Sequence, residues 1–148
     1  RMDRDLLGLS GLSAVVLLEG INDISAGASP EAIIAGMKEL VSRVRAKGNI
    51  KIVGATITPS LTANGNSGTP EANQRRLALN VFIRTGGLFD AVADFDAATV
   101  DPATGALREA FVPNSTVGGA GDRLHPNRAG YQAMGNAIDL KIFAPTGR

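Results

Sequence analysis

Apolar and polar positions alternate along the chain in blocks whose lengths predict strands and helices in turn. Residues 13–18 form a continuous, partly β-branched apolar run, which is typical of a strand buried on both faces of a parallel sheet. Residues 50–57 repeat this pattern after a polar interval, and residues 91–95 predict a shorter strand. We therefore expect three strands in this chain, each followed by a polar segment.

Two helices are predicted between these strands because each begins with a capping signal. Residues 29–31 read Ser-Pro-Glu, which supplies an N-cap, a first-turn proline and a first-turn acid. Apolar residues then recur at helical spacing as far as Gly48, and we expect this stripe to pack into the core. Residues 69–71 read Thr-Pro-Glu and begin a second helix, which Gly86 and Gly87 close.

The remaining segments predict further helical pieces and two long loops. Residues 1–7 have the pattern of a helix tail ended by glycines, and residues 127–142 predict a final helix. Residues 58–68 predict a polar loop at the rim of a site, and residues 96–121 predict a second loop. Because parallel strands need long right-handed crossovers, this order predicts an α/β fold with helices on both faces of a parallel sheet. The first strand would lie at an open edge unless another strand pairs with it.

The composition is that of one α/β domain over residues 1–148, with 44% hydrophobic and 20% charged residues. Fifteen basic and 14 acidic residues leave a net charge of +1 without a basic stripe, so we expect no nucleic-acid partner. No apolar run approaches the roughly 20 residues that span a bilayer, so no membrane span is expected. The absence of cysteine excludes disulfides and thiolate zinc sites but does not decide the compartment.

Two polar motifs carry candidate chemistry. Residues 122–126 read Asp-Arg-Leu-His-Pro and contain the only histidine, and residues 20–23 read Gly-Ile-Asn-Asp after the first strand. Ligands of parallel sheets bind beyond the carboxyl ends of the strands, where residues 20–23 are expected. A hydroxyl nucleophile needs a base within hydrogen-bond reach, and the base needs an acceptor that fixes its tautomer. Asp122 and His125 can be that acceptor and base, and Asn22 can donate to a developing oxyanion.

Both motifs resemble those of the SGNH hydrolases, the GDSL-type lipases and esterases. Residues 20–23 match the family's Gly-x-Asn-Asp block, and residues 122–126 match its Asp-x-x-His-Pro block, in the same order and about 100 residues apart. The resemblance covers almost all of the chain. It implies a three-layer α/β/α sandwich of the flavodoxin type.

The same resemblance implies roles for individual residues. His125 would be the general base, Asp122 its orienting partner, and Asn22 a side-chain donor in the oxyanion hole. Gly20 and Asp23 would line the site, with Asp23 also anchoring its loop. We expect no cofactor.

The sequence departs from the family at the nucleophile. The family's serine lies in a Gly-Asp-Ser block and an oxyanion-hole glycine follows its second strand, and neither block occurs in these 148 residues. Ser10 and Ser67 both miss the Gly-x-Ser-x-Gly spacing by one position, so neither is assigned as the nucleophile. We therefore expect this chain to be the C-terminal portion of a longer hydrolase. Its partner would be an N-terminal fragment that carries the first strands and the serine.

These observations predict a carboxylic-ester hydrolase that works through a serine acyl-enzyme. The family analogy favours small acyl esters or acetylated carbohydrates as substrates, and an extracytoplasmic location. The alternative is a catalytically inactive binding or scaffold domain that has the same fold without the nucleophile. A flavodoxin-like nucleotide binder is disfavoured because no Gly-rich phosphate loop follows the first strand.

Four carboxylates near the third strand, Asp90, Asp94, Asp96 and Asp101, raise the question of a cation site, since hard ions bind clustered oxygens. Their spacing is not that of an EF-hand loop. We expect them to lie at a solvated strand end and turn, and we expect no metal.

Overall fold

The chain folds around a small parallel sheet. A computed structural model describes residues 3–144 and contains three strands there, Ala14–Leu17 (β1), Lys51–Ala55 (β2) and Ala91–Ala93 (β3). Their order is β1-β2-β3, and both pairings are parallel. The predicted α/β fold with a parallel sheet is confirmed, with strands shorter than the apolar runs that predicted them.

Five α-helices lie within the described residues: Ile21–Ser25 (α1), Pro30–Lys47 (α2), Pro70–Thr85 (α3), Phe95–Thr99 (α4) and Arg128–Asn136 (α5). The predicted N-caps of both long helices are confirmed. Ser29 Oγ accepts a hydrogen bond from Ala32 N at 3.3 Å, and Thr69 Oγ1 accepts one from Ala72 N at 3.2 Å. None of the helices within residues 3–144 has the length and apolar character needed to cross a bilayer.

Alternation along β2 divides the helices between two faces of the sheet. Ile52 packs with Val41 and Val44 of α2. The neighbouring Val53 and Ala55 point the opposite way and pack with α4 and α5. A further core joins α1, α2 and α3 on the first face. The three layers are therefore helix, sheet and helix, as predicted.

Gly54 lets the Phe89 ring pack directly against β2. A Cβ built on Gly54 would lie 2.2 Å from Cδ2 of Phe89, well inside van der Waals contact. The Phe89 ring packs into the cores beside α2 and α3. The glycine in β2 is therefore explained by the ring that covers it.

The burial predicted for the first strand is wrong. Leu17 is buried, but Val16 is 40% exposed and Leu18 is 41% exposed. Within the described residues β1 pairs only with β2 and lies at an edge of the sheet. Val16 and Leu18 alternate with Leu17 and so point to the opposite face, which remains accessible.

Two predicted loop segments contain short helices. Residues 20–23, expected beyond the carboxyl end of the first strand, lead into α1, and α4 occupies the start of the predicted loop over residues 96–121. Asp94 begins α4 because its side chain accepts a hydrogen bond from Ala97 N at 3.1 Å. Both helices have five residues, which is too short for apolar periodicity to reveal them.

The final helix is shorter than predicted. It ends at Asn136, and Ile142 instead lies in a 3₁₀ turn, Leu140–Phe143. Asp139 separates the two pieces because its side chain caps that turn by accepting a hydrogen bond from Lys141 N. Of the predicted helical tail over residues 1–7, the structure describes a single π-helical turn at Asp3–Leu7, and Arg1 and Met2 lie outside the described residues.

A network of charged side chains links α3 to the segment after β3. Arg76 Nη1 lies 2.5 Å from Asp96 Oδ1, and the two side chains are only 1% and 10% exposed. Arg84 pairs with Asp94 at 2.7 Å and with Asp96 at 2.8 Å. Hydrogen bonds from Arg84 outweigh the opposing effect of burial and lower the pKa of Asp94 below its ordinary value. The prediction of a solvated strand end is therefore wrong for Asp96.

Candidate active site

Asp122 and His125 meet in a tight turn that precedes α5. Asp122 Oδ2 lies 2.5 Å from His125 Nδ1. Its other oxygen, Oδ1, accepts hydrogen bonds from the backbone N–H groups of Leu124 at 3.0 Å and His125 at 2.8 Å. One carboxylate thus holds the backbone of the turn and the imidazole together. When Nδ1–H donates to Asp122, Nε2 of the neutral ring is left as an acceptor, which is what a general base requires.

The surroundings favour the ionised form of Asp122. Burial opposes ionisation, but the hydrogen bonds from the His125 N–H, the imidazole and the Leu124 N–H lower the pKa of Asp122 below its ordinary value of 3.8. The His125 side chain is 48% exposed. Within residues 3–144 its Nε2 has no hydrogen-bond partner, so this atom is open to a ligand.

Asn22 lies in α1, just beyond the carboxyl end of β1. Gly20 permits this entry because its φ is 120°, and a Cβ there would lie 3.1 to 3.3 Å from three core side chains. Ile24 is fully buried among α2 and α3 and anchors the short helix. Asn22 itself is exposed, and its side-chain amide has no hydrogen-bond partner in the described part of the chain. Its N–H groups are therefore available to a ligand.

Asn22 and His125 line one cavity of about 240 Å³ beyond the ends of β1 and β2. Asp122 lies behind His125 and holds its ring. The structure therefore brings the three predicted catalytic side chains together. Asn22 and His125 face the cavity, and Asp122 orients the His125 ring from behind. Most of the cavity wall is apolar, formed by Leu18, Ile21, Ile57, Leu124, Pro126 and Met134.

The structure places Gly20 and Asp23 elsewhere. Both border a separate cavity of about 210 Å³ against α2, and neither lines the cavity of Asn22 and His125. Glu19 lies between the two and borders both. The contribution of Gly20 to the site is thus the backbone conformation that presents Asn22.

Two polar residues of the cavity escaped the sequence interpretation, Glu19 and Tyr131. Thr58 begins the loop over residues 58–68 that was predicted to form a site rim, and it lines the cavity at the carboxyl end of β2. Tyr131, the only tyrosine of the chain, fits the helical spacing of the last helix, and that spacing gives no signal of a site.

Two side chains of α3 hold the cavity wall where β2 ends. Asn80 Oδ1 accepts a hydrogen bond from Ile57 N, and Asn80 Nδ2 donates one to Ile57 O, both at 2.8 Å. Arg76 Nη1 donates to the same carbonyl at 3.0 Å. These bonds satisfy the Ile57 backbone in place of a strand neighbour and fix the position of the adjoining Thr58.

Within residues 3–144 no group of three or more His, Asp or Glu side chains is arranged to hold a metal ion. The ionisable groups that border the cavity are Glu19, His125 and Tyr131. Around Asn22 and His125 the chemistry available from this chain is therefore proton transfer and hydrogen-bond donation.

Comparison with known proteins gives the same picture at the level of the fold. A crystal structure of a provisionally assigned acylhydrolase from Bacteroides fragilis superposes with a TM-score of 0.79 at 23% identity, covering 97% of this chain and 66% of that protein. A GDSL-like lipase from Bacteroides thetaiotaomicron superposes with a TM-score of 0.79 at 19% identity, covering 97% and 67%. The chain thus spans about two thirds of the length of each.

The search of curated proteins finds no match. The sequence model of the GDSL-like lipase/acylhydrolase family, in contrast, matches residues 1–133. That match includes the Asn22 segment and the whole Asp122–His125 turn. The chain therefore belongs to the GDSL-like lipase/acylhydrolase family.

Proposed function

We propose that this chain supplies three catalytic groups of a serine-type carboxylic-ester hydrolase. His125 is the general base, Asp122 orients it, and Asn22 donates a hydrogen bond to the oxyanion. The observation that carries the proposal is that Asn22 and His125 line one cavity, while Asp122 Oδ2 lies 2.5 Å from His125 Nδ1. Membership of an acylhydrolase family supports the reaction class.

In the proposed reaction, His125 Nε2 takes the proton of a serine hydroxyl as its oxygen attacks the ester carbonyl carbon. The carbonyl oxygen becomes an oxyanion that accepts a hydrogen bond from Asn22 Nδ2. The imidazolium then protonates the departing alcohol oxygen, which leaves an acyl-serine. Water attacks this ester with His125 again as base, and collapse of the second intermediate releases the acid and regenerates the serine. Asp122 stays ionised and stabilises the imidazolium throughout.

The serine itself is proposed to come from an N-terminal part of the same hydrolase, outside these 148 residues. The Gly-Asp-Ser block is absent from the sequence. In the described structure β1 has an unpaired edge, and Val16 beside it is 40% exposed. A strand added to that edge would end beside Asn22, because parallel strands place their carboxyl ends together.

The proposed substrates are small esters, either simple acyl esters or acetylated carbohydrates. The apolar wall suits the hydrocarbon portion of an acyl group, and a volume of about 240 Å³ restricts what the described part of the cavity can enclose. Thr58 and Tyr131 offer hydroxyl groups to a polar alcohol portion.

The test is ester hydrolysis by the protein expressed from its complete gene, with p-nitrophenyl acetate as substrate. We expect Asn22→Ala to lower kcat about 10²-fold to 10³-fold with little change in KM, since the lost donor acts in the transition state. Asn136→Ala removes an exposed amide at the end of α5 and serves as the matched control, with unchanged kcat.

The competing function is an inactive binding or scaffold domain, which the missing serine block favours. It predicts no hydrolysis by the complete gene product and no response to His125→Ala. Measurable hydrolysis that disappears in His125→Ala and survives in Asn136→Ala would exclude it. An unaltered kcat in Asn22→Ala would remove Asn22 from the proposed site.

A further inference from the structure

Arg123 occupies an unusual backbone conformation between Asp122 and His125. Its φ is 62°, in the left-handed region that carries a steric cost for any residue with a Cβ. Glycine would adopt this conformation without that cost. A large side chain here therefore indicates a contact that offsets the strain.

The Arg123 side chain joins the turn to two other segments. Its Nε donates a hydrogen bond to Thr62 Oγ1 at 3.2 Å, in the loop between β2 and α3. Its Nη2 forms an ion pair with Glu109, in the 3₁₀ turn Glu109–Phe111. Arg123 thus ties the turn to two segments that come earlier in the chain, one 61 residues and the other 14 residues before it.

The same two segments also hold the ends of the turn. Asn64 N donates to the backbone oxygen of Asp122 at 3.0 Å. Asn127 Nδ2 donates to the backbone oxygens of Ala110 at 2.9 Å and Pro113 at 3.0 Å. These hydrogen bonds fix both ends of the turn. Arg123 is the side chain that connects the middle of the turn to the same two segments.

Packing contributes little to the position of the imidazole, because the His125 side chain is 48% exposed, whereas that of Asp122 is only 22% exposed. Hydrogen bonds must therefore set the distance between carboxylate and imidazole. We infer that Arg123 is a positioning residue, which holds Asp122 and His125 in register by tying their turn to Thr62 and Glu109. The expected effect on kcat rests on the proposed function, whereas the expected effect on the contact between Asp122 and His125 does not.

The variant Arg123→Gly tests the positioning role of Arg123 separately from its contribution to the stability of the fold. It removes both tethers, while relief of the left-handed conformation offsets that loss and the greater freedom of glycine in the unfolded chain, so the urea midpoint of unfolding should change little. Asn114→Gly is the matched control. Asn114 also has a positive φ, of 54°, and within the described residues its side chain makes no hydrogen bond to the turn.

The first readout is proton NMR of the imidazole in the complete gene product, where the signal that disappears in His125→Ala is assigned to His125. The short bond between Nδ1 and Asp122 should give a strongly downfield Nδ1 proton that exchanges slowly with water. We expect this resonance to broaden or vanish in Arg123→Gly and to persist in Asn114→Gly. Glu109→Ala keeps Arg123 and cuts one tether, and it should show a smaller loss of the same kind.

The second readout is ester hydrolysis by the complete gene product. Arg123→Gly should lower kcat about 10-fold to 10²-fold with little change in KM, because it misplaces the base without removing it. Asn114→Gly should leave kcat unchanged, and Arg123→Lys should restore part of it. An unaltered resonance together with an unaltered kcat in Arg123→Gly would overturn the inference. A lost resonance in a protein that hydrolyses no ester would support the positioning role while contradicting the proposed function.

Discussion

Replacing Asp96 by alanine tests how the network beneath the site holds the fold. The change leaves the guanidinium of Arg76, which is 1% exposed, without its carboxylate partner. Only neutral acceptors remain for it, the backbone oxygen of Ile57 at 3.0 Å and Asn73 Oδ1 at 3.0 Å. Removing one partner of a buried ion pair costs about 3 to 5 kcal/mol, because an uncompensated charge stays buried.

The reverse change should cost less. In Arg76→Met the Asp96 carboxylate keeps Arg84, whose Nη2 lies 2.8 Å away, and the Arg84 side chain is 32% exposed to water. Ile57 O also keeps its hydrogen bond from Asn80 at 2.8 Å. The loss is therefore one hydrogen-bonded contact to a charge, about 1.5 to 3 kcal/mol. The double variant should be less destabilised than the sum of the two by about 0.5 to 3 kcal/mol.

The assay is urea unfolding followed by circular dichroism, with midpoint and slope fitted for each variant. A control is Arg45→Met, because the pair of Arg45 with Asp90 has side chains 46% and 35% exposed and should be worth at most about 1 kcal/mol. The reasoning is refuted if Asp96→Ala is no more destabilising than Arg76→Met, or if both match Arg45→Met.

Three further predictions concern the Asp122–His125 turn, the stability of the fold at low pH, and the packing of Phe89 against β2. Asp122→Asn should lower kcat of the complete enzyme about 10⁴-fold, because an amide can stabilise the wrong imidazole tautomer; a loss under about 10-fold would contradict the assignment. The pKa values of Asp94 and Asp122 are both lowered in the fold, so their stabilisation is complete above the ordinary value of 3.8 and is lost as the pH falls below it. Urea midpoints measured from pH 6 to pH 3 should therefore fall at the acid end, and less steeply in Asp94→Asn. Gly54→Ala should destabilise by about 1 to 3 kcal/mol, because its Cβ meets the Phe89 ring at 2.2 Å; a gain in stability would contradict this packing.

Local signals in the sequence predicted the long elements well. Ser29 and Thr69 predict the starts of α2 and α3, because a capping side chain and the proline that follows it act within a few residues. The Asp122–His125 turn is similarly local, since one carboxylate bonds groups two and three residues away. The sheet followed from apolar runs separated by helices, a pattern that allows few topologies.

Features that depend on distant partners escaped prediction. Arg76 sits in a helix whose sequence predicts an exposed charge, and it is buried only because Asp96 comes from another segment. Leu18 and Val16 read as core residues, yet they are accessible because β1 lies at an edge of the described sheet. The cavity depends on three-dimensional placement too, so the place of Tyr131 in its wall became visible only when α5 was brought beside α1 and the end of β2.

The most direct measurement is intact mass of the complete gene product, with every polypeptide in the sample weighed before and after incubation with a fluorophosphonate. The account predicts one adduct, on a serine outside these 148 residues, and its loss in His125→Ala. An adduct on a serine within the 148 residues, or a folded protein in which no polypeptide is labelled, would contradict it.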